Sequence, residues 1–331
     1  MAVAFEANQS SRPALRLVEA DTVPLPELDT TVEDWYFDER RPEKTHRGTL
    51  YTDAVTMSDG HTYPVVIGKP NKPITETPIV FTTAWFTSTH GHNRHVLLRF
   101  MEAGFSGVLI GSEGVHRFSD EKQISARQRA KALGSIALSA SAHSMHEILN
   151  EADARDIDAE GVILLGESRG AMVGMGFLAY APLYRRIVSR ADLSAPCFPE
   201  KLDICHIPEL AQQIVSEPRA ALKFFGSISL SRMVHYPSTV DLHPQSLAFQ
   251  LATAPALFGG EAGALARHIP IDQQLHITTF KGDFASMPAA WDDIFAQHLY
   301  YSRDEVEGAH VSIANVHTLK ALESRVRAHI L

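Results

Sequence analysis

The stretch Val162-Ile163-Leu164-Leu165-Gly166-Glu167-Ser168-Arg169-Gly170-Ala171-Met172 decides the fold. Its four leading apolar residues suit a buried strand, and the small residues from Gly170 onward suit a helix packed closely on a sheet. Between them lies G-x-S-x-G, formed by Gly166, Ser168 and Gly170. A sharp strand-to-helix turn forces the central serine into a strained backbone conformation. The flanking glycines remove the side chains that would clash there. The hydroxyl then stands clear of the sheet edge, and the helix points its first N–H groups at the same spot, favouring developing negative charge. The bland alternative is a glycine-rich turn with a surface serine, and the strand before and helix after weigh against it.

Outward from this segment, short apolar runs alternate with helical stretches. Thr49 to Met57 and Thr62 to Gly68 are β-prone, with Ser58-Asp59-Gly60-His61 as a hairpin turn between them. Further strands are expected at Ile79 to Thr83, Ser106 to Ile110, Gly161 to Leu165 and Ile187 to Leu193. Helices are expected over 94–104, 120–154 and 169–181, the last stopped by Pro182. The alternation resumes with a strand at 275–281, a helix at 289–299, a strand at 300–306 and a helix at 313–329. Such alternation predicts an α/β fold, a mostly parallel central sheet with helices on both faces. Residues 197–272 interrupt it and read as an inserted helical cap. The expected organisation is an N-terminal arm (1–46), a core (47–196 and 273–331) and the cap (197–272). Trp35, Tyr36 and Phe37 are placed to pin the arm onto the body.

The chain has 331 residues, 45% of them apolar and 21% charged, so it is long enough and apolar enough to bury a sizeable core. The formal net charge of −9 argues against a nucleic-acid groove, which needs surplus positive charge to displace counterions. It also disfavours adhesion to anionic membranes. Two cysteines, Cys197 and Cys205, allow at most one bridge, so the fold does not depend on a disulfide framework. No apolar run is long enough to span a membrane. With no apolar signal region at the N-terminus either, the expectation is a cytoplasmic protein.

From about Thr49 onward the chain resembles the α/β-hydrolase fold family, on the strength of Gly166, Ser168 and Gly170 in their strand–turn–helix setting. The resemblance implies a nucleophile, an acid and a histidine in that chain order. Ser168 is the nucleophile. The strand His276 to Phe280 runs into Lys281-Gly282-Asp283, similar to the family's acid turn, which makes Asp283 the acid, with Asp192 in reserve. Asp283 follows Ser168 by 115 residues, a spacing lengthened by the insertion. Gly308-Ala309-His310 resembles the family's histidine loop, and His310, 27 residues after Asp283, is the general base. His298 and His317 fall within expected helices. The oxyanion hole would take one backbone N–H from Arg169 and one from Trp85, with Phe86 as the other choice. The family often shows His-Gly at that point, where this chain has Thr83-Ala84-Trp85-Phe86.

The resemblance implies a serine hydrolase that cleaves a carboxylic ester of a small or medium acyl group through an acyl-enzyme, with no cofactor and no metal. The same triad also serves acyltransferases, thioesterases and amidases, and the fold also serves non-catalytic ligand-binding proteins. His90-Gly91-His92-Asn93-Arg94-His95 has the donor type for zinc, but its spacing matches no standard motif and no acid ligand is adjacent, so a rim role is expected. Cys197 and Cys205 read as structural thiols. Arg169 suits either a substrate carboxylate or an acid on the surface. The apolar residues of the cap suit an acyl or aromatic substrate, and core packing of the cap explains them equally well.

Overall fold

The structure, a computed structural model, describes residues 36–39, 42–56, 62–84, 87, 89, 91–112, 138–153, 157–197, 260–281, 283, 287–307 and 316–330. Among the described residues ten strands form one sheet: β1 (Tyr36–Glu39), β2 (Glu43–Lys44), β3 (Gly48–Thr56), β4 (Thr62–Pro70), β5 (Ile79–Thr82), β6 (Gly107–Ile110), β7 (Gly161–Glu167), β8 (Ile187–Ser194), β9 (Leu275–Phe280) and β10 (Tyr301–Val306). The described helices are α1 (Gly91–Glu102), α2 (Leu138–Asp153), α3 (Arg169–Tyr184), α4 (Glu261–Ala266), α5 (Pro288–Ile294) and α6 (Val316–Ile330).

The strand order is β1-β3-β4-β6-β5-β7-β8-β9-β10, with β2 paired to β3. From β6 to β10 every pairing is parallel, and the pairings among β1 to β4 and of β4 with β6 are antiparallel. β3 and β4 pair in register from Gly48↔Pro70 to Thr56↔Thr62, the hairpin expected from the sequence. β1 and β2 fall in the stretch read as an arm, and both hydrogen-bond to β3.

Both faces of the sheet are covered, and the strands sort their side chains with period two. Val80, Val108, Val162 and Leu164 pack against α2 and α3. Ile79, Phe81, Leu109, Ile163 and Leu165 face the other way, against α1 and α6. The helices of the first layer also include α4 and α5, through Leu265 and Trp291. A bulge in β8 opposite Val162/Ile163 resets its alternation. Ala191 and Leu193 therefore face the α3 layer, and Asp192 faces α6, where it meets Arg325.

Three boundaries differ from expectation. Helix α1 begins at Gly91, three residues before the expected start, so part of the histidine-dense run lies in its first turn. Helix α3 passes through Pro182 and ends at Tyr184. A proline in the final turn removes one hydrogen bond, and Arg185, in the left-handed conformation (φ 55°), ends the helix by donating its N–H to Ala181 and Pro182 carbonyls. Of the expected helix over 120–154, only 138–153 lies within the described residues. Nearly all of the expected cap, 198–259, lies outside them. Helix α4 belongs to the remainder, and its Ala262, Leu265 and Ala266 are buried in the main core.

Candidate active site

Parallel strands place all their C-terminal ends on one edge of the sheet. β5 lies between β6 and β7, so the chain turns one way to β6 and the other way to β7, opening a crevice outside the ends of β5 and β7. Ser168 sits there, directly after β7.

Ser168 has φ 56° and ψ −119°, outside the regions that L-residues normally occupy. The turn is over-determined. The Ser168 N–H donates to Ser194 O at 2.8 Å, and its carbonyl accepts the first bond of α3 from the Met172 N–H at 3.2 Å. A Cβ at Gly166 would stand 2.7 Å from Ala171 Cα, and one at Gly170 would stand 2.3 Å from Thr82 O. Glycine is therefore the residue that fits at both positions. Thr82 Oγ1 donates to Gly170 O at 2.8 Å and approaches Leu165 O at 3.2 Å, tying the end of β5 to the first turn of α3.

Arg169 is the first residue of α3, where backbone N–H groups have no acceptor within the helix. Its side chain is buried and turned toward α2, with Nη2 donating to Ser141 Oγ at 3.3 Å. A cavity of about 20 Å³ behind the turn is lined by Arg169, Ser141, Thr82, Thr83, Ser112 and Tyr63 among others. It has room for about one water.

The second oxyanion donor was expected at Trp85 or Phe86, both of which lie outside the described residues. The residues on either side of them make backbone hydrogen bonds. Thr83 N–H donates to Ile110 O at 3.0 Å, Thr87 N–H to Ala84 O at 3.2 Å, and Ser112 N–H to Thr87 O at 2.8 Å.

Asp283 follows β9 and is buried at 7% exposure, with its N–H donating to Phe280 O at 3.0 Å. It lies at the same edge as Ser168, and the strands they follow, β9 and β7, are separated by β8 alone, about 10 Å between strand axes. His310 lies outside the described residues. The segment containing it leaves β10 at that edge, where Lys281 N–H bonds Val306 O at 3.0 Å and Lys281 Nζ donates to Glu307 at 2.7 Å.

Asp192, the reserve acid, is otherwise engaged. Its carboxylate accepts from Arg190 Nε at 2.6 Å and from Arg325 Nε at 2.8 Å, on the α6 face of the sheet. A buried carboxylate paired twice is a structural ion pair rather than a partner for a mobile imidazole.

One neighbour of Ser168 was not read from the sequence as part of the site. Cys197 Sγ stands 3.7 Å from Ser168 Oγ. No sequence signal marks it, since the contact depends on how the chain leaves β8. Among the described residues no group of three or more His, Cys, Asp or Glu is placed to hold a metal ion, and no helix is long and apolar enough to cross a membrane. Cys205 and His90 lie outside the described residues.

No protein-family model matches the sequence, and no curated protein is similar to it in sequence. Solved structures do match. A carboxylesterase from the thaumarchaeon Nitrososphaera gargenis superposes with a TM-score of 0.51 at 12% identity, covering 82% of this chain and 97% of its own. Acetyl xylan esterase 1 from Thermoanaerobacterium sp. JW/SL YS485 gives a TM-score of 0.52 at 14% identity, covering 91% and 89%. DcsB, solved with a substrate analogue, gives 0.54 at 11% identity, covering 85% and 98%. The protein has the α/β-hydrolase fold.

Proposed function

We propose that the protein is a serine hydrolase of carboxylic esters with a small or medium acyl group. The observation that carries this reading is the backbone of Ser168, strained at the end of β7 and aimed over the N-terminus of α3. Strain of this kind persists only where the surroundings enforce it, and it clusters at reacting residues. The similarity to a carboxylesterase and an acetyl xylan esterase supports the ester as the bond attacked.

In this mechanism Ser168 Oγ attacks the ester carbonyl. His310 takes the serine proton and returns it to the departing alcohol, and Asp283 holds the ring in the right tautomer. The N–H groups of Arg169 and Trp85 stabilise the tetrahedral oxyanion. Water then releases the acyl group from Ser168. The gap of two strand spacings between β7 and β9 suits an imidazole entering between Ser168 and Asp283 from the β10 side.

Fluorophosphonate labelling of the intact protein, read by mass spectrometry, tests this. A single adduct on Ser168, absent from Ser168→Ala, is expected. A folded protein that takes up no label on Ser168 overturns the reading.

A further inference from the structure

Thr82 is the last residue of β5, and the period of the strand turns it to the same face as Val80, toward α2 and α3. It is buried, and its Oγ1 stands 2.8 Å from Gly170 O and 3.2 Å from Leu165 O. One hydroxyl thus reaches both legs of the turn that carries Ser168. A hydroxyl has a single proton to donate, and the shorter contact, to Gly170 O, takes it.

The two sides of the turn are held differently. Toward β8, the Ser168 N–H bond to Ser194 O fixes the entry into α3. Toward β5, the first turn of α3 lies backbone against backbone, since a Cβ at Gly170 would stand 2.3 Å from Thr82 O and 2.5 Å from Thr83 O. Glycine brings no side chain to key into that contact. The cavity of about 20 Å³ lined by Thr82, Gly170, Arg169 and Val173 lies beside it, and atoms that border a void have no packing partner on that side. The Thr82 hydroxyl supplies the directional restraint that packing does not.

We propose that Thr82 is a positioning residue for ester hydrolysis: its bond to Gly170 O holds the first turn of α3 so that the Arg169 N–H meets the oxyanion. This rests on the hydrolase reading above, which makes that N–H an oxyanion donor. Arg169 directly precedes the residue whose carbonyl is held, and both belong to α3. Helical dihedrals fix the one relative to the other, so a turn released from β5 carries the N–H with it. Such a donor acts only when it is aimed at the place where the oxyanion forms. The oxyanion exists only after Ser168 has attacked, so the loss falls on the chemical step rather than on substrate binding.

The test follows p-nitrophenyl acetate hydrolysis by wild type, by Thr82→Val, which exchanges the hydroxyl for a methyl group, and by Thr82→Ser, which keeps the hydroxyl. Thr82→Val is expected to lower kcat by about tenfold, less than the loss of a whole donor costs, with KM held to within about twofold. An alkyl trifluoromethyl ketone reads the oxyanion directly. Ser168 Oγ adds to its carbonyl carbon, the carbonyl π pair becomes the oxyanion, and His310 takes the serine proton. Its inhibition constant rises in Thr82→Val by the same factor as kcat falls, and Thr82→Ser recovers most of both.

A bond with a structural role alone lowers the melting temperature of Thr82→Val and leaves kcat and the ketone constant at their wild-type values, and that result overturns the proposal. Thr82→Ser losing as much as Thr82→Val overturns it too, since the effect then belongs to the methyl group. Thr82→Ala, which removes the hydroxyl and adds no bulk beside Gly170, takes the place of Thr82→Val if that variant does not fold. Fluorophosphonate separates the two readings. With label on wild-type Ser168 and wild-type kinetics in Thr82→Val, the positioning role falls and the hydrolase reading stands. If wild-type Ser168 takes no label, both fall.

Discussion

Ser168 shows how much a single residue contributes to stability when its conformation serves a site. A non-glycine residue held at φ 56° and ψ −119° costs on the order of 1–3 kcal/mol, offset by the bonds to Ser194 and Met172 and by the packing of Gly166 and Gly170. Glycine occupies such a region without a Cβ clash, while alanine keeps the clash and loses only the hydroxyl. Ser168→Gly is therefore expected to melt higher than Ser168→Ala by a few degrees, since about 1 kcal/mol moves Tm by roughly 2–4 °C in mid-sized domains. Neither variant takes the fluorophosphonate. Equal melting temperatures would show that the turn stores no strain at this residue. Gly166, Ser168 and Gly170 were legible in sequence because the clash that selects glycine is local. Cys197 was not, since its approach to Ser168 arises from the exit of a different strand.

At the scale of elements, the strands that position the site were legible, and the connections between distant elements were not. Ile79–Thr82, Gly107–Ile110 and Gly161–Glu167 are near-continuous apolar runs because both faces of a parallel strand are buried. β1 and β2 are short, four residues and two, and both pair with β3. Pro182 marked the end of α3 a turn too early, because a proline near a C-terminus costs less than one mid-helix. The start of α2 depends on a residue 123 positions away. Glu261, the first residue of α4, accepts the Leu138 N–H at 2.9 Å and the Ser139 N–H at 3.1 Å. These are orphan donors of a helix N-terminus, and a carboxylate there also opposes the positive end of the helix dipole. Glu261→Ala is expected to cost about 1–2 kcal/mol in urea unfolding, with Glu261→Gln recovering part of it through its amide oxygen. An unchanged urea midpoint in Glu261→Ala would show that α2 is held by packing alone.

At the scale of the whole molecule, the α6 face joins β8, β9, β10 and α6 through one charge cluster built around the buried Asp192 and His276. Asp192 is held by Arg190 and Arg325, and Arg325 also reaches Asp304 at 3.6 Å. His276 lies among them, bonded through Nδ1 to Ser302 Oγ at 2.9 Å with Nε2 3.4 Å from Asp304. Burial, reinforced by the Arg325 charge and only partly countered by Asp192 and Asp304, lowers the His276 pKa from 6.5 to about 4. Near neutral pH the ring is uncharged, and its approach to Asp304 is not an ion pair. Burial lowers His298 and His329 in the same direction. The folded state thus refuses protons that the unfolded chain accepts. The contribution to stability is complete above pH 6.5, falls as the pH drops toward about 4, and loses nothing further below that, when both states are protonated. The slope from His276 alone reaches up to about 1.4 kcal/mol per pH unit within that window. Urea unfolding at about pH 7, 6 and 5 reads this directly. The loss between the two lower values is expected to shrink in His276→Asn, which keeps a polar group near Ser302 and cannot take up the proton. A variant that loses stability as steeply as wild type would place the acid sensitivity elsewhere, and would leave the cluster joining these four elements with no part in the pH response.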